Sequence, residues 1–389
     1  AINVFISFVG AGMLGMPYAF SRSGYALGTL ALFAVSAANV YAMLLLIKVR
    51  KRLEGEGWNG SKGGGGRRHL AGYGDLGYAI AGPKGEALVN SCLVVSQVGF
   101  ATAYVIFIAA NFRAAFDVPR GVTCAACVPI LAALVQVRDM KNLSPFSLIA
   151  DAANLVGLSA VFFEDFEMYP DRSDDGGLKA FDFAALLYVC SVSIYSLEGV
   201  ALVLPLETSA ADREGFPKLL CQVVFFITVL MAAFGCAGYA AFGSDTLAPV
   251  TLNLEGTQIG TFVKLALCLA LYLTYPVMMF PVNDVIENNV LPSSASCPKP
   301  NVPFRSLVVC VTAVVAYSVP DFGKFLGLVG SSVCMLLGFV LPCAFHLKAF
   351  GFREGLSLWE VTMDSGLIGV GVVFGVLGTV DSARSLLSG

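Results

Sequence analysis

From Tyr25 to Ile47 the chain runs a full membrane-crossing length without one charged side chain. About 20 apolar residues in a helix cover the ~30 Å hydrocarbon core of a bilayer. Blocks of this kind recur to the end of the sequence, and only 13% of its 389 residues are charged while 57% are hydrophobic. A soluble domain is about a quarter charged, so the deficit excludes an ordinary soluble fold. In hydrocarbon each segment must satisfy its own N–H and C=O groups, which a helix does. The expected fold is therefore an all-α integral, multi-pass membrane protein, one transmembrane domain over residues 1–389.

About eleven spans are predicted from length and apolarity, at 1–20, 25–48, 85–112, 121–138, 143–163, 181–205, 217–242, 259–287, 304–319, 321–346 and 364–381. Residues 49–84 form a flexible loop rich in glycine and in basic residues, among them Arg50, Lys51, Arg52, Lys62, Arg67, Arg68 and Lys84, with Lys48 just before it. Its basic run could touch anionic lipid, but a solvated loop is the plainer reading. The excess of Lys and Arg there and in alternate loops places it in the cytoplasm. The chain opens inside a span, at Ala1-Ile2-Asn3-Val4-Phe5, which predicts a further N-terminal tail, also cytoplasmic. The sequons at Asn59 and Asn142 fall on the same side and are expected to be unused. The acidic loop 164–180 is read as a solvated segment.

Most of the 11 cysteines lie in apolar blocks, where they act as small hydrophobes. Cys124 and Cys127 make a CxxC, but no second pair or histidine cluster completes a metal site, so packing is the preferred role. With two histidines, no phosphate loop and no partnered nucleophile, the chain does not read as an enzyme. Nothing in its charge pattern points to nucleic acid.

The first span is the anomaly. It reads Phe8-Val9-Gly10-Ala11-Gly12-Met13-Leu14-Gly15-Met16-Pro17, with glycines and a proline where a helix should be continuous. Broken backbone survives in a membrane only where it is buried in protein or lines a cavity. The sixth span holds a second anomaly, Tyr195-Ser196-Leu197-Glu198-Gly199, with an acid beside a glycine. A charge at that depth costs at least ~2.5 kcal/mol, so Glu198 is expected to face an internal cavity or to carry a proton. Glu207, at the end of the same span, is read as an interfacial charge.

Each anomaly opens a group of five spans, and five is odd, so the second group is inverted relative to the first. Paired broken helices then meet near the midplane. Helix N-termini attract an anionic group, and free carbonyls at C-termini attract a cationic one. The simplest molecule carrying both groups is an α-amino acid.

The chain resembles the amino acid/auxin permease family of proton-coupled and sodium-coupled amino-acid transporters. The motifs are Phe8–Gly24, Leu197-Glu198-Gly199 with Leu204-Pro205-Leu206-Glu207, Gly238–Gly243 with Asn253-Leu254, Tyr275-Pro276 with Phe280-Pro281-Val282, and Gly327–Ser331 after Pro320. They stand in the family's order along nearly the whole chain. The resemblance implies a five-plus-five inverted repeat (1–163 and 181–346) with broken first and sixth helices and an additional helix at 364–381. It implies transport of amino acids by alternating access. It places the substrate carboxylate on the amides of Gly12, Met13, Leu14 and Gly15, and the ammonium on carbonyls near Phe8, Val9, Tyr195 and Ser196. Gln97, Phe100, Thr102, Tyr104, Tyr195 and Tyr275 are candidate walls. A sodium site would use Val9 or Gly10 with Thr274, whereas Glu198 offers a proton route; Asp151, Asn154 and Asp284 are other polar candidates. Proton symport is the preferred expectation, with sodium symport or an amino-acid sensor as alternatives. No cofactor is expected beyond the coupling ion. The partners are an amino acid and the lipid bilayer, of the plasma membrane or of a vacuole- or lysosome-type organelle; no oligomeric state is predicted.

Overall fold

The structure, a computed structural model, describes residues 10–55, 70, 72–137, 149–150, 152–154, 156–163, 178–210, 212–254, 258–289, 301–319, 321–351 and 356–387. Among them every regular element is helical. A 3₁₀ turn, Ala11–Gly15, leads into α1 (Met16–Ser23), followed by α2 (Tyr25–Gly55), α3 (Tyr73–Phe116), α4 (Arg120–Leu134) and α5 (Ala152–Phe163). The sixth span is split into α6 (Leu186–Ser196) and α7 (Val200–Ser209). Then come α8 (Phe216–Phe242), α9 (Gln258–Asn289), α10 (Val302–Ser318), α11 (Phe322–Phe350) and α12 (Leu358–Leu387).

Among the described residues, seven spans, with α6 and α7 taken as one, are long and apolar enough to cross a membrane, and α4, α5 and α10 are shorter apolar helices. With the segment ending in α1, these correspond one for one to the predicted spans. Several boundaries differ. α2 continues past residue 48 to Gly55, where Arg50 faces Glu54 one turn on, at 3.5 Å. α3 starts at Tyr73, so much of the expected 49–84 loop is helix. Pro83 cannot continue a helix from the residues before it. The chain folds back there through Gly82 (φ 65°, ψ −157°), a conformation that suits only glycine.

The packing exposes the internal symmetry. α1 packs on α8, and α6 packs on α2; α2 meets α8, α3 meets α9, and α4 meets α10. Exchanging α1 with α6, α2 with α8, α3 with α9 and α4 with α10 returns the same set of contacts. That is the five-plus-five arrangement seen in side-by-side packing, with α12 as the extra helix. α3 lies at the centre: Phe100 to Ala109 are all buried, as a helix that is apolar on every side should be. α12 docks on α11 and α6 and leaves Val370, Val372, Val373, Val376 and Leu377 exposed to lipid.

Candidate functional site

Both broken spans are interrupted at the same place in the bundle. In the first, Gly10 is extended (φ −132°, ψ −171°), and the Met13 N–H donates to its carbonyl at 3.2 Å. The residues Ala11–Gly15 are wholly buried, and α1 then begins with Pro17 in its first turn, where a missing N–H costs nothing. In the sixth span, α6 stops at Ser196. Leu197 donates back to Ser193 O at 3.0 Å, and Glu198 to Tyr195 O at 3.4 Å. α7 restarts after Gly199 (φ −155°, ψ 3°).

The two interruptions touch backbone to backbone. A Cβ on Gly12 would sit 2.7 Å from Ser196 Cα and 2.6 Å from its Oγ, so no other residue fits without separating the halves. On one wall the 3₁₀ turn presents the amides of Ala11 and Gly12, which helix geometry leaves without an intrahelical acceptor. On the other wall α6 ends with its carbonyls. The positive end of one helix thus lies against the negative end of another.

Polar groups around this junction are unspent. The Ser193 Oγ, the Tyr195 hydroxyl and Glu198 Oε1 are buried without a hydrogen-bond partner. Such an atom costs about 1–3 kcal/mol when nothing satisfies it, so a polar ligand, ion or water finds partners here. Tyr104 reaches in from α3, its hydroxyl 3.9 Å from where a Cβ on Gly10 would be. The ring of Phe100 meets that of Tyr195 edge to face, with centroids 4.8 Å apart.

Of the expected site residues, the structure brings together Gly10, Gly12, Met13, Leu14, Gly15, Tyr104, Tyr195 and Ser196. Phe8, Val9 and Asp151 lie outside the described residues, as do Asn59, Asn142 and most of the acidic loop. Gln97 is buried on α3, and Thr102 donates to Val98 O in its own helix at 2.7 Å. Thr274 donates to Ala270 O at 2.8 Å, leaving the lone pairs of its oxygen as the part an ion could use. The Tyr275 hydroxyl lies 2.7 Å from Thr312 Oγ1 and fastens α9 to α10, a helix that packs chiefly on α3 and α4. Asn154 is half-buried on α5, and Asp284 is exposed.

Glu198 stands behind the junction, in the wedge between α2 and α11. Its Oε2 is 3.8 Å from where a Cβ on Gly338 would be, and Asn39 Oδ1 is 3.9 Å from the same point. Asn39 was absent from the sequence reading, yet its Nδ2 donates at 2.7 Å to the Leu197 carbonyl at the interruption. Its signal was a lone amide in the charge-free stretch of α2. Tyr73, assigned to a loop from sequence, donates to Leu337 O at 3.0 Å. That carbonyl belongs to α11 where the helix widens into π turns, Gly330–Cys334 and Leu336–Val340. Glu207, read as an interfacial charge at the end of its span, is fully buried within the protein, 2.8 Å from the equally buried Arg50 of α2. Cys124 and Cys127 are free and buried on α4.

Comparison with known proteins places this geometry. Residues 1–382 match the family model described as transmembrane amino acid transporter protein. The chain is 36% identical to amino acid transporter AVT3B of Arabidopsis thaliana, across 99% of this chain and 92% of that protein. It is 29% identical to vacuolar amino acid transporter 3 of Saccharomyces cerevisiae, across 95% of this chain and 53% of that longer protein. Among solved structures it shares its fold with a Na+-coupled sialic acid symporter in a substrate-bound outward-open state (TM-score 0.53, 11% identity, 97% of this chain and 89% of that one). A manganese transporter of Eremococcus coleocola has the same fold (TM-score 0.56, 10% identity, 97% and 85%). These relatives are named as transporters, and none as an enzyme. By the match along nearly its whole length, the chain belongs to the transmembrane amino acid transporter family, the amino acid/auxin permease group that its motifs resemble.

Proposed function

We propose that this chain is a secondary active transporter that moves amino acids across a membrane by alternating access, coupled to protons. The observation that carries the reading is the backbone-to-backbone meeting of two interrupted helices, with amides on one wall and helix-terminal carbonyls on the other. A zwitterion satisfies both walls at once. The carboxylate binds the free amides of Ala11 and Gly12, not that of Met13, which is spent on Gly10 O, and the ammonium binds carbonyls at Tyr195 and Ser196, together with Phe8 and Val9. Tyr104, Tyr195 and Phe100 bound the side-chain space. The names of the relatives support amino acids as the substrate class.

Glu198 is the coupling residue in this proposal. It lies beside the interruption with one carboxylate oxygen buried and unpartnered, so loading it with a proton relieves a charge that hydrocarbon disfavours. The vacuolar name of the Saccharomyces cerevisiae relative favours a vacuole-type membrane over the plasma membrane, with the basic side of the protein in the cytoplasm.

Purified protein in liposomes tests the reading. Radiolabelled amino acids should accumulate when a pH gradient is imposed and should leak away when a protonophore collapses it. Uptake that follows only a sodium gradient would move the coupling to a site such as Thr274. Binding with no flux would make the protein a sensor.

A further inference from the structure

Away from the interrupted helices, three other helix faces bring a second group of ionisable side chains together. Asp364, two turns into α12, is fully buried. Its Oδ1 accepts from the Tyr41 hydroxyl of α2 at 2.8 Å, and its Oδ2 lies 2.6 Å from Nδ1 of His346 on α11. His346 is also fully buried, and its Nε2 has no hydrogen-bond partner. Cys343, one turn earlier on α11, is also buried. Nearer the helix ends, Lys48 of α2 pairs with Glu360 of α12. Lys48 and Arg52 also lie over the ring of Phe350, which contacts His346 with centroids 4.8 Å apart.

We propose that Tyr41, His346 and Asp364 form a proton-binding site, separate from the substrate site, whose occupancy controls the seating of α11 and α12 during transport. The effect on transport rests on the transporter reading above; the site itself rests on this cluster.

Charge counting carries the proposal. With one proton shared between imidazole and carboxylate, the pair is neutral overall whichever atom holds it. Without that proton Asp364 is a buried carboxylate with the Tyr41 hydroxyl and a neutral imidazole as its partners, and burial disfavours its charge. Of the nearby cations, Lys48 pairs with Glu360, and Arg52 lies over the ring of Phe350. Losing the proton therefore favours an arrangement in which water reaches the seam between α2, α11 and α12. The seam is mechanically linked to the transport machinery because α11 is shared. Gly338, the residue facing Glu198, is two turns before His346, about 12 Å by helix rise. A pair that must stay together when protonated and can part when not is a latch placed on the helix that lines the coupling acid.

The test uses the full chain with His346→Gln, with Asp364→Asn, and with the pair His346→Leu and Asp364→Leu. Replacing both members by apolar groups leaves no stranded charge, so the pair variant is the one expected to fold best. The first readout is the unfolding midpoint in detergent between about pH 5 and 8. A folded state that holds one proton more than the unfolded chain loses stability as the pH rises, so the wild-type midpoint should fall over this range. Glu198 is a buried acid that adds its own share to that fall, so the comparison is made in the Glu198→Gln background, where adding the pair variant should remove the fall that remains. The second readout is counterflow of a radiolabelled mixture of the protein amino acids, at equal pH on both sides of the liposome. Each single variant should exchange the mixture but lose a several-fold pH dependence seen in the wild type.

The proposal is overturned if adding the pair variant leaves the midpoint profile of Glu198→Gln unchanged, or if Glu198→Gln alone abolishes the fall. A wild type that exchanges no amino acid would sink the transporter reading, and the midpoint series alone would then decide whether the site exists.

Discussion

Gly12 is the residue whose lack of a side chain holds the two halves together. Its would-be Cβ points at the main chain of Ser196, not at a flexible tip that could swing aside. Gly12→Val must therefore push the halves apart, and substrate affinity should fall by at least about tenfold, the equivalent of ~1.4 kcal/mol. Amino-acid binding to the purified variant measures this, and an unchanged affinity would remove the junction from the site. Glu198→Gln makes the complementary change, keeping shape while deleting an ionisable group. It should fold as the wild type does, exchange amino acids at equal pH, and lose accumulation driven by a pH gradient; retention of that accumulation rules Glu198 out as the coupling group. Both residues stood out in the sequence, because glycine clusters and a lone acid are rare inside apolar blocks. Asn39 could not be assigned in the same way. What it does depends on Leu197, which reaches it only once α2 and α6 are packed.

At the scale of elements, the long helices were readable from apolar runs, but their ends were not. The sequence alone places Arg50 in a loop and Glu207 at an interface, since each follows a block of apolar residues. In the fold α2 continues through Arg50, and both charges are buried 2.8 Å apart. Neither can be recognised as buried until the other is known to be opposite it. Arg50 Nε and Nη1 have no hydrogen-bond partner, and neither has either oxygen of Glu207, so the two charges attract without the bonds that would offset their desolvation. Removing one partner, by Arg50→Ala or Glu207→Ala, should cost about 3–5 kcal/mol and lower the unfolding midpoint. Arg50→Met combined with Glu207→Leu should recover most of that loss. If the double variant is no more stable than the singles, the pair is not what joins α7 to α2. The π turns of α11 left no trace in the sequence, because they reflect its packing against α6, α3 and α12 and not any local residue preference.

At the scale of the whole molecule, the exchange of α1–α4 with α6, α8, α9 and α10 fixes which helix ends share a membrane face. Each half contributes an odd number of crossings, so the end of α2 and the start of α8 lie on one side, and the ends of α3 and α8 on the other. Lys51 and Glu214 are exposed on the first side, and Asp117 and Asp245 on the second. Lysine and arginine favour the cytoplasm, and the end of α2 with the loop after it is the most basic stretch of the chain. Single cysteines at Lys51 and Glu214 should therefore react with a membrane-impermeant thiol reagent only when the cytoplasmic face is open to it. Cysteines at Asp117 and Asp245 should react only from the opposite face. Among the described residues, Cys310 is the exposed native cysteine, within α10, and Cys297 lies outside them, so both are replaced by serine in the labelling background. Lys51 and Glu214 reacting from different faces would break the inverted repeat itself. The same pairing with both faces reversed would keep the repeat and overturn only the orientation, and with it the side from which Glu198 takes up its proton.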